Sequence, residues 1–221
     1  MRQAVLFDLD DTLIDRTGAF AHAMAALLAR HPEVSPPHRR AADLAWALEV
    51  DARGGTGRTA FCRAVLEKLP LPCSAEALDE ALLEGMLEAL SPVPEVLALT
   101  QKVQARFATA VVSNGSSRRQ RAKLSRSGLA ARFEGVFISG EVGAPKPDFT
   151  LFRAALGFVD VPPERALFVG DDPARDIAPA AALGLRTCWV SHGRPYPAGL
   201  PAPTHVIAHV TQLLEVLPCA T

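Results

Sequence analysis

Residues 4–12 read AVLFDLDDT: four apolar residues, Ala4–Phe7, and then Asp8, Leu9, Asp10, Asp11 and Thr12. An apolar run that is continuous rather than alternating marks a strand covered on both faces, as strands are in parallel sheets. This run stops at an acid, so the chain leaves the buried layer carrying carboxylates. The pattern recurs downstream. Thr109–Ser113 is followed by Asn114 and Gly115, and Ala166–Val169 by Gly170, Asp171 and Asp172. Gly135–Ile138 and Arg186–Val190 have the same β-branched and aromatic character, and His205–Ile207 is a weaker sixth run. Between the runs, apolar residues at helical spacing mark Glu95–Ala105, Ser117–Arg126, Phe149–Gly157 and Arg175–Leu183. Strand alternating with helix predicts an α/β fold, a doubly wound parallel sheet with helices on both faces.

The stretch from about Thr17 to Leu90 breaks that alternation. Ala19–Arg30, Arg40–Val50, Thr59–Leu69 and Ala75–Leu90 all carry helical periodicity, punctuated by Pro32, Pro36, Pro37, Gly54, Gly55, Pro70 and Pro72. This predicts a small helical domain, residues 17–90, inserted after the first strand, with residues 1–16 and 91–221 forming the α/β core. A chain of 221 residues is long enough for one large domain and one small one.

Composition narrows the function by exclusion. Hydrophobic residues make up 49% and charged residues 21%, ordinary for a globular chain. The net charge of -1 supplies no basic field to draw the chain to nucleic acid or an anionic membrane. The local run Arg118, Arg119, Arg121, Lys123 and Arg126 reads as a solvated helix face. Cys62, Cys73, Cys188 and Cys219 are scattered, without the pairing of a zinc site or a disulfide framework. The start, MRQAVLFDLDD, reaches acids after a short apolar run, which is not the pattern of a signal peptide. No segment approaches the roughly 18 apolar residues of a membrane span. The expectation is a cytoplasmic protein with reduced thiols, a monomer or homodimer acting on a small molecule.

In parallel α/β sheets ligands bind outside the carboxyl ends of the strands, where three segments here deliver polar groups. Carboxylates gathered there would repel one another and raise each other's pKa unless positive charge sits among them. A hard divalent cation such as Mg²⁺ meets that need, since it takes a few carboxylate oxygens together with substrate phosphate. Lys146, between Pro145 and Pro147 at a helix start, is a second source of positive charge. Alone, Asp8 and Asp10 would read as loop acids and Lys146 as a surface lysine. Their conjunction, in order and each after a strand, argues for a site.

These motifs resemble those of the haloacid dehalogenase (HAD) superfamily, in the branch with a helical cap inserted after the first motif. That family's D-x-D-x-T stands here as Asp8, Asp10 and Thr12, and its strand-end Ser or Thr as Ser113 in VVSNG. Its lysine stands as Lys146 in KPD, and its acidic cluster as Asp171, Asp172 and Asp176 in GDDPARD. The resemblance covers essentially the whole chain. It implies a phosphatase of small phosphate monoesters in which Asp8 attacks phosphorus and Asp10 protonates the leaving oxygen. It also implies Mg²⁺ held by Asp8, the Asp10 carbonyl and Asp171, with Asp172 and Asp176 supporting from behind, though Asp176 reads equally as an acid at a helix N-terminus. Ser113, Lys146, Thr12 and the loop around Asn114 would hold the phosphoryl oxygens. Dehalogenase members are similar in fold but replace the second aspartate, present here as Asp10, with an uncharged residue.

Other readings remain open at this point. A phosphomutase would keep both aspartates, and a non-catalytic phosphate-binding protein would keep the fold. A cap lysine serving as a Schiff base would have to be Lys68, the only lysine in the insertion, and its helical setting favours a surface role. In related capped phosphatases the region between cap helices reaches over the active site. The glycine-rich segment 51–58 is therefore expected to carry Arg58, with Arg53 second, toward the non-reacting part of the substrate.

Overall fold

The computed structural model of the chain describes residues 2–217, so Cys219 lies outside the described residues. In chain order, strand β1 (Ala4–Phe7) is followed by helices α1 (Arg16–Arg30), α2 (Arg40–Asp51), α3 (Arg58–Lys68) and α4 (Ala75–Ala89). Then come α5 (Pro94–Gln104), β2 (Ala108–Ser113), α6 (Ser117–Arg126), β3 (Gly135–Ile138), α7 (Ser139–Val142) and α8 (Phe149–Val159). Strand β4 (Ala166–Gly170) leads into a π-helical turn, Pro173–Ile177, that runs on as α9 (Ala178–Ala182). Strands β5 (Arg186–Val190) and β6 (His205–Ile207) and the short α10 (Leu213–Val216) complete the order. Chain contacts group these elements into two compact units, Met1–Ile14 with Pro92–Thr221, and Asp15–Ser91.

In the first unit the six strands pair in parallel in the order β3-β2-β1-β4-β5-β6. This is the doubly wound arrangement: the chain works outward from β1 to β3, returns to β4 on the other side of β1, and works outward again. The order therefore reverses between β1 and β4, and in open α/β sheets ligands bind outside the strand ends at such a reversal. One face of the sheet presents Ala4, Leu6, Ala108, Ala110, Val112 and Phe168 to a core that includes Leu151, Phe152, Ala155 and Val159 of α8. Those α8 residues recur at the helical period, and Asp148 caps the helix by accepting from the Thr150 amide at 2.7 Å. The Phe152 and Phe168 rings lie 4.9 Å apart across this face.

The helix expected over Arg175–Leu183 is divided in the structure. Pro179 has no N–H to continue a regular ladder, and the Ile177 amide reaches back five residues to the Asp172 carbonyl. The result is a wide turn with its own side-chain directions.

In the second unit, α1 packs on α4. Ala19, Phe20, Ala23, Met24, Leu27 and Leu28 are buried along α1, as are Leu78, Leu82, Leu83 and Met86 along α4. Gly85 permits the approach, because a Cβ there would stand 2.9 Å from Ala23 Cβ. Asp15 starts α1 by accepting from the Gly18 amide, and Phe20 meets Phe61 of α3 edge-on at 5.3 Å.

Candidate active site

The turn after β1 is built around one carbonyl. Leu9 O accepts from the amides of Thr12 (3.3 Å), Leu13 (3.0 Å) and Ile14 (3.2 Å). Asp11 turns the corner at φ 55°, a left-handed conformation that Asp tolerates better than most residues. His192 Nε2 donates to the Asp11 carbonyl at 2.6 Å, which pins the turn to the loop after β5. The Asp8 amide donates to Val169 O at 2.9 Å, so Asp8 is stitched to β4 at the point where the strand order reverses.

Asp8 is buried, and so is Lys146. The Lys146 ammonium donates to Asp8 Oδ1 (2.7 Å), Asp176 Oδ1 (2.7 Å) and the Val112 carbonyl (2.9 Å), which accounts for its three hydrogens. Thr12 Oγ1 approaches the other Asp8 oxygen at 3.3 Å. Burial pushes the Asp8 carboxyl up to about 7; Lys146 opposes that rise, while Asp176 and Asp10 add to it. Burial alone would lower Lys146, but Asp176 and Asp8 outweigh it and hold the ammonium above its ordinary range. Asp176 is likewise raised by burial against the pull of Lys146.

Asn114 does not face a ligand with its side chain. Its Oδ1 accepts from the Lys146 amide (2.7 Å) and its Nδ2 donates to the Lys146 carbonyl (2.9 Å). Both ends of the side-chain amide clamp the Lys146 backbone, a structural hold on the lysine, whereas the expectation for this loop concerns the amides around Asn114. Asp171 is oriented from β5 and beyond. Trp189 Nε1 donates to its carbonyl at 2.9 Å, and Arg194 donates to the carbonyl at 2.8 Å and to Oδ2 at 3.1 Å.

Asp172 and Asp176 take different parts. Asp172 caps the π turn, accepting from the Ala174 and Arg175 amides and from the Arg175 guanidinium. Burial opposes it, yet those bonds hold its carboxyl below the usual range. It therefore faces Arg175 and the turn. Asp176 turns inward and is almost fully buried. Carboxylate oxygens of Asp8, Asp171 and Asp176 all lie within 4.8 Å of one another. Three buried acids that close, two of them raised by burial, make a hard oxygen donor set short of positive charge, which fits a divalent cation.

A family model described as a haloacid dehalogenase-like hydrolase matches residues 3–184. The chain belongs to that family. Among curated relatives, the pyrimidine 5′-nucleotidase YjjG of Escherichia coli is 34% identical over 63% of this chain and 63% of its own. The chain's match thus spans less than two thirds of that relative. The ribulose-1,5-bisphosphate 5-phosphatase of Halopiger xanaduensis is 34% identical over 85% of this chain and 84% of its own. Among solved structures, the HAD-hydrolase YfnB of Bacillus subtilis superposes with a TM-score of 0.81 at 24% identity, covering 99% of each chain, a likeness of fold.

Two residues at this HAD-type site escaped the reading of the sequence. The run from Arg118 to Arg126 was expected to be a solvated face, but Lys123 is buried and its ammonium lies 2.8 Å from both oxygens of Asp10. Gln120, also buried, donates to Asp10 Oδ2 (3.1 Å) and Ser113 Oγ (2.6 Å). The signal was present in the spacing: Gln120, Lys123, Leu124 and Ser127 form the buried stripe of α6 at i, i+3, i+4 and i+7. Arg121, between them, is exposed and pairs with Glu141.

In the second unit, the guanidinium of Arg58 pairs with Asp51 and lies over the Phe61 ring at 4.8 Å. Asp51 also binds the buried Arg16 through two bonds. Arg58, expected to reach toward the substrate, is held here by a buried carboxylate of its own unit. Lys68 is exposed and stands over Trp46 at 4.1 Å. Among the described residues no helix is long and apolar enough to cross a membrane.

Proposed function

We propose that this chain is a phosphatase of small phosphate monoesters that carries the phosphoryl group on Asp8 and uses Mg²⁺. The observation that most supports this reading is the buried Asp8–Lys146–Asp176 bridge at the sheet's switch point, with Asp10 two residues beyond the nucleophile. The relatives named above, a nucleotidase and a sugar-phosphate phosphatase, favour the same class of substrate.

Lys146 and Thr12 fix the plane of the Asp8 carboxylate, so one oxygen is presented to phosphorus in a set direction. Attack forms an Asp8–phosphorus bond as the ester P–O bond breaks. Asp10 gives its proton to the departing oxygen and then takes one from the water that splits the acyl phosphate, returning Asp8 and inorganic phosphate. Ser113 donates to a phosphoryl oxygen during both steps, while Lys146, its three hydrogens engaged, contributes its positive charge beside Asp8. A cation bound by Asp8, Asp171 and Asp176 would keep Asp8 ionised and offset charge on the phosphoryl group.

The test is phosphate release from p-nitrophenyl phosphate by the purified chain with Mg²⁺. Release should vanish in EDTA and return with Mg²⁺. Asp8→Asn should keep the fold, lose the acid-trapped phosphoenzyme and retain less than about 1% of turnover. A well-folded Asp8→Asn that turns over at wild-type rate rules out the covalent route, and full activity in EDTA rules out the metal.

A further inference from the structure

Lys123 and Gln120 sit one helical turn apart on α6; Lys123 reaches Asp10 in the turn after β1, and Gln120 reaches both Asp10 and Ser113 at the end of β2. Burying an ammonium or an amide is costly unless its hydrogen bonds are met, and apolar side chains of similar volume generally stabilise as well. Leu124, next in the same stripe, is such a residue. What leucine cannot supply at 120 or 123 is direction.

Lys123 grips both oxygens of Asp10, which fixes the plane of that carboxylate. In the half-reaction where Asp10 takes the proton of the attacking water it is a carboxylate that only accepts, so the Gln120 amide presents its NH₂ group, with one hydrogen for Asp10 and one for Ser113. Ser113 Oγ, accepting from Gln120, keeps its own hydrogen for another acceptor. Gly115 makes the approach of Gln120 possible: it stands at φ 138°, and a Cβ there would lie 3.0 Å from Gln120 Cδ.

We infer that Lys123 and Gln120 are positioning residues for phosphoryl transfer. Lys123 sets the arc on which Asp10 exchanges its proton with the ester oxygen, and Gln120 ties Asp10 to Ser113 and leaves the Ser113 hydroxyl to donate to a phosphoryl oxygen. This rests on the phosphatase reading and assigns that site two residues beyond the family's four motifs. Neither residue touches the reacting atoms. Their effect passes through Asp10 and Ser113.

The experiment compares kcat/KM for phenyl phosphate and p-nitrophenyl phosphate at saturating Mg²⁺, for the wild type, Lys123→Met and Lys123→Arg. The two esters are alike in shape, but phenol holds its proton to about pH 10 whereas nitrophenolate departs as an anion near neutrality. Misplacing Asp10 should therefore lower kcat/KM for phenyl phosphate about tenfold more than for the nitro ester. Lys123→Arg, which keeps a cation on Asp10, should recover part of the difference. Equal losses on both esters, or no loss on either, overturn the inference. A wild type that hydrolyses neither ester is a separate result, which sinks the phosphatase reading itself. Should Lys123→Met fail to fold, Gln120→Leu leaves the ammonium paired and reads the same ratio, with the same excess loss on phenyl phosphate expected and its absence overturning the inference.

Discussion

Asp51 is the residue on which the helical unit depends most heavily for polar order. Its Oδ1 accepts from Arg16 at 2.8 Å and pairs with Arg58; its Oδ2 pairs with Arg16 and accepts from the Gly54 amide at 2.9 Å. Asp51 is 1% exposed and Arg16 4%, so the central pair is shielded from water on both sides. Asp51→Asn removes the charge while keeping an acceptor for Gly54. Removing one member of a buried pair typically costs about 3–5 kcal/mol. The lower end, about 3 kcal/mol, applies here, because Arg58 keeps 24% of its side chain in water and Arg16 retains its contact with the Phe20 ring. Hydrogen exchange read by mass spectrometry is the suitable assay, since it resolves the two units separately. Amides of α1 to α4 should exchange about a hundredfold faster in the variant, because each 1.36 kcal/mol is a factor of ten. Sheet amides in β1, β2 and β4 should change far less.

The pH dependence carries a definite sign. Burial alone would raise the Asp51 carboxyl, but the Arg16 bonds and charge, then Arg58 and the Gly54 amide, hold it below the usual carboxylate range. A depressed carboxyl contributes stability that is complete above its unfolded value near 4 and is lost as pH falls through the lower folded value. The exchange ratio between variant and wild type should be flat from pH 7 to about pH 5 and shrink only below about pH 4. A ratio near one at pH 7, or one that already shrinks between pH 7 and pH 5, would refute the assignment of Asp51 as the charged keystone.

Arg58→Ala should loosen the helical unit by about 1 kcal/mol, as a partly exposed ion pair and ring contact suggest, seen as about fivefold faster exchange in α3. Asp10→Asn should slow trapping of the phosphoenzyme from phenyl phosphate by about a hundredfold, and from p-nitrophenyl phosphate by much less; equal slowing would remove Asp10 as the leaving-group acid. Gly170→Ala should destabilise the core by about 1–3 kcal/mol in thermal unfolding and depress phosphate release, because the added methyl meets Asp176; unchanged stability would mean that the π turn gives way easily.

Much of the fold could be read in advance because parallel strands are short, apolar and ended by something polar. The β1, β3, β5 and β6 ranges coincide with the expected runs, and β2 and β4 differ by one residue at an end. Asp8, Ser113 and Asp171 stand where strands stop, and a strand end is visible in a sequence. Lys146 was legible through the prolines beside it. Asp176 was ambiguous because its direction depends on a π turn, and the turn depends on a missing amide at Pro179 and on capping by Asp172. Lys123 was hidden by its neighbours: among Arg118, Arg119, Arg121 and Arg126, charge suggested solvent. Only the buried stripe through 120, 123, 124 and 127 separates it from them, and polar residues on such a stripe are overlooked when periodicity is counted in apolar residues alone. The pairing of Arg58 was hidden for the opposite reason, since glycines beside an arginine suggest freedom, and the acid it pairs with lies seven residues back.

The two glycines after β2 and at the end of β4 have a common geometric cause. At Gly115 the absent Cβ leaves room for Gln120, and at Gly170 a Cβ would stand 2.6 Å from Asp176 Cβ. Gln120 and Asp176 do not belong to the strands. Each arrives from the element that follows and reaches back to the strand end: Gln120 past Gly115 to Ser113 and Asp10, Asp176 past Gly170 to Lys146. A side chain at either glycine would hold the incoming residue off by a carbon's width, whereas N–H···O hydrogen bonds span only about 2.7–3.2 Å. The VVSNG and FVGDD segments are therefore two solutions to one problem, bringing polar groups from helix starts onto a strand edge already crowded with carboxylates. Ser113 and Asp171 supply the groups at that edge, and the glycines set how closely the supporting residues can pack behind them.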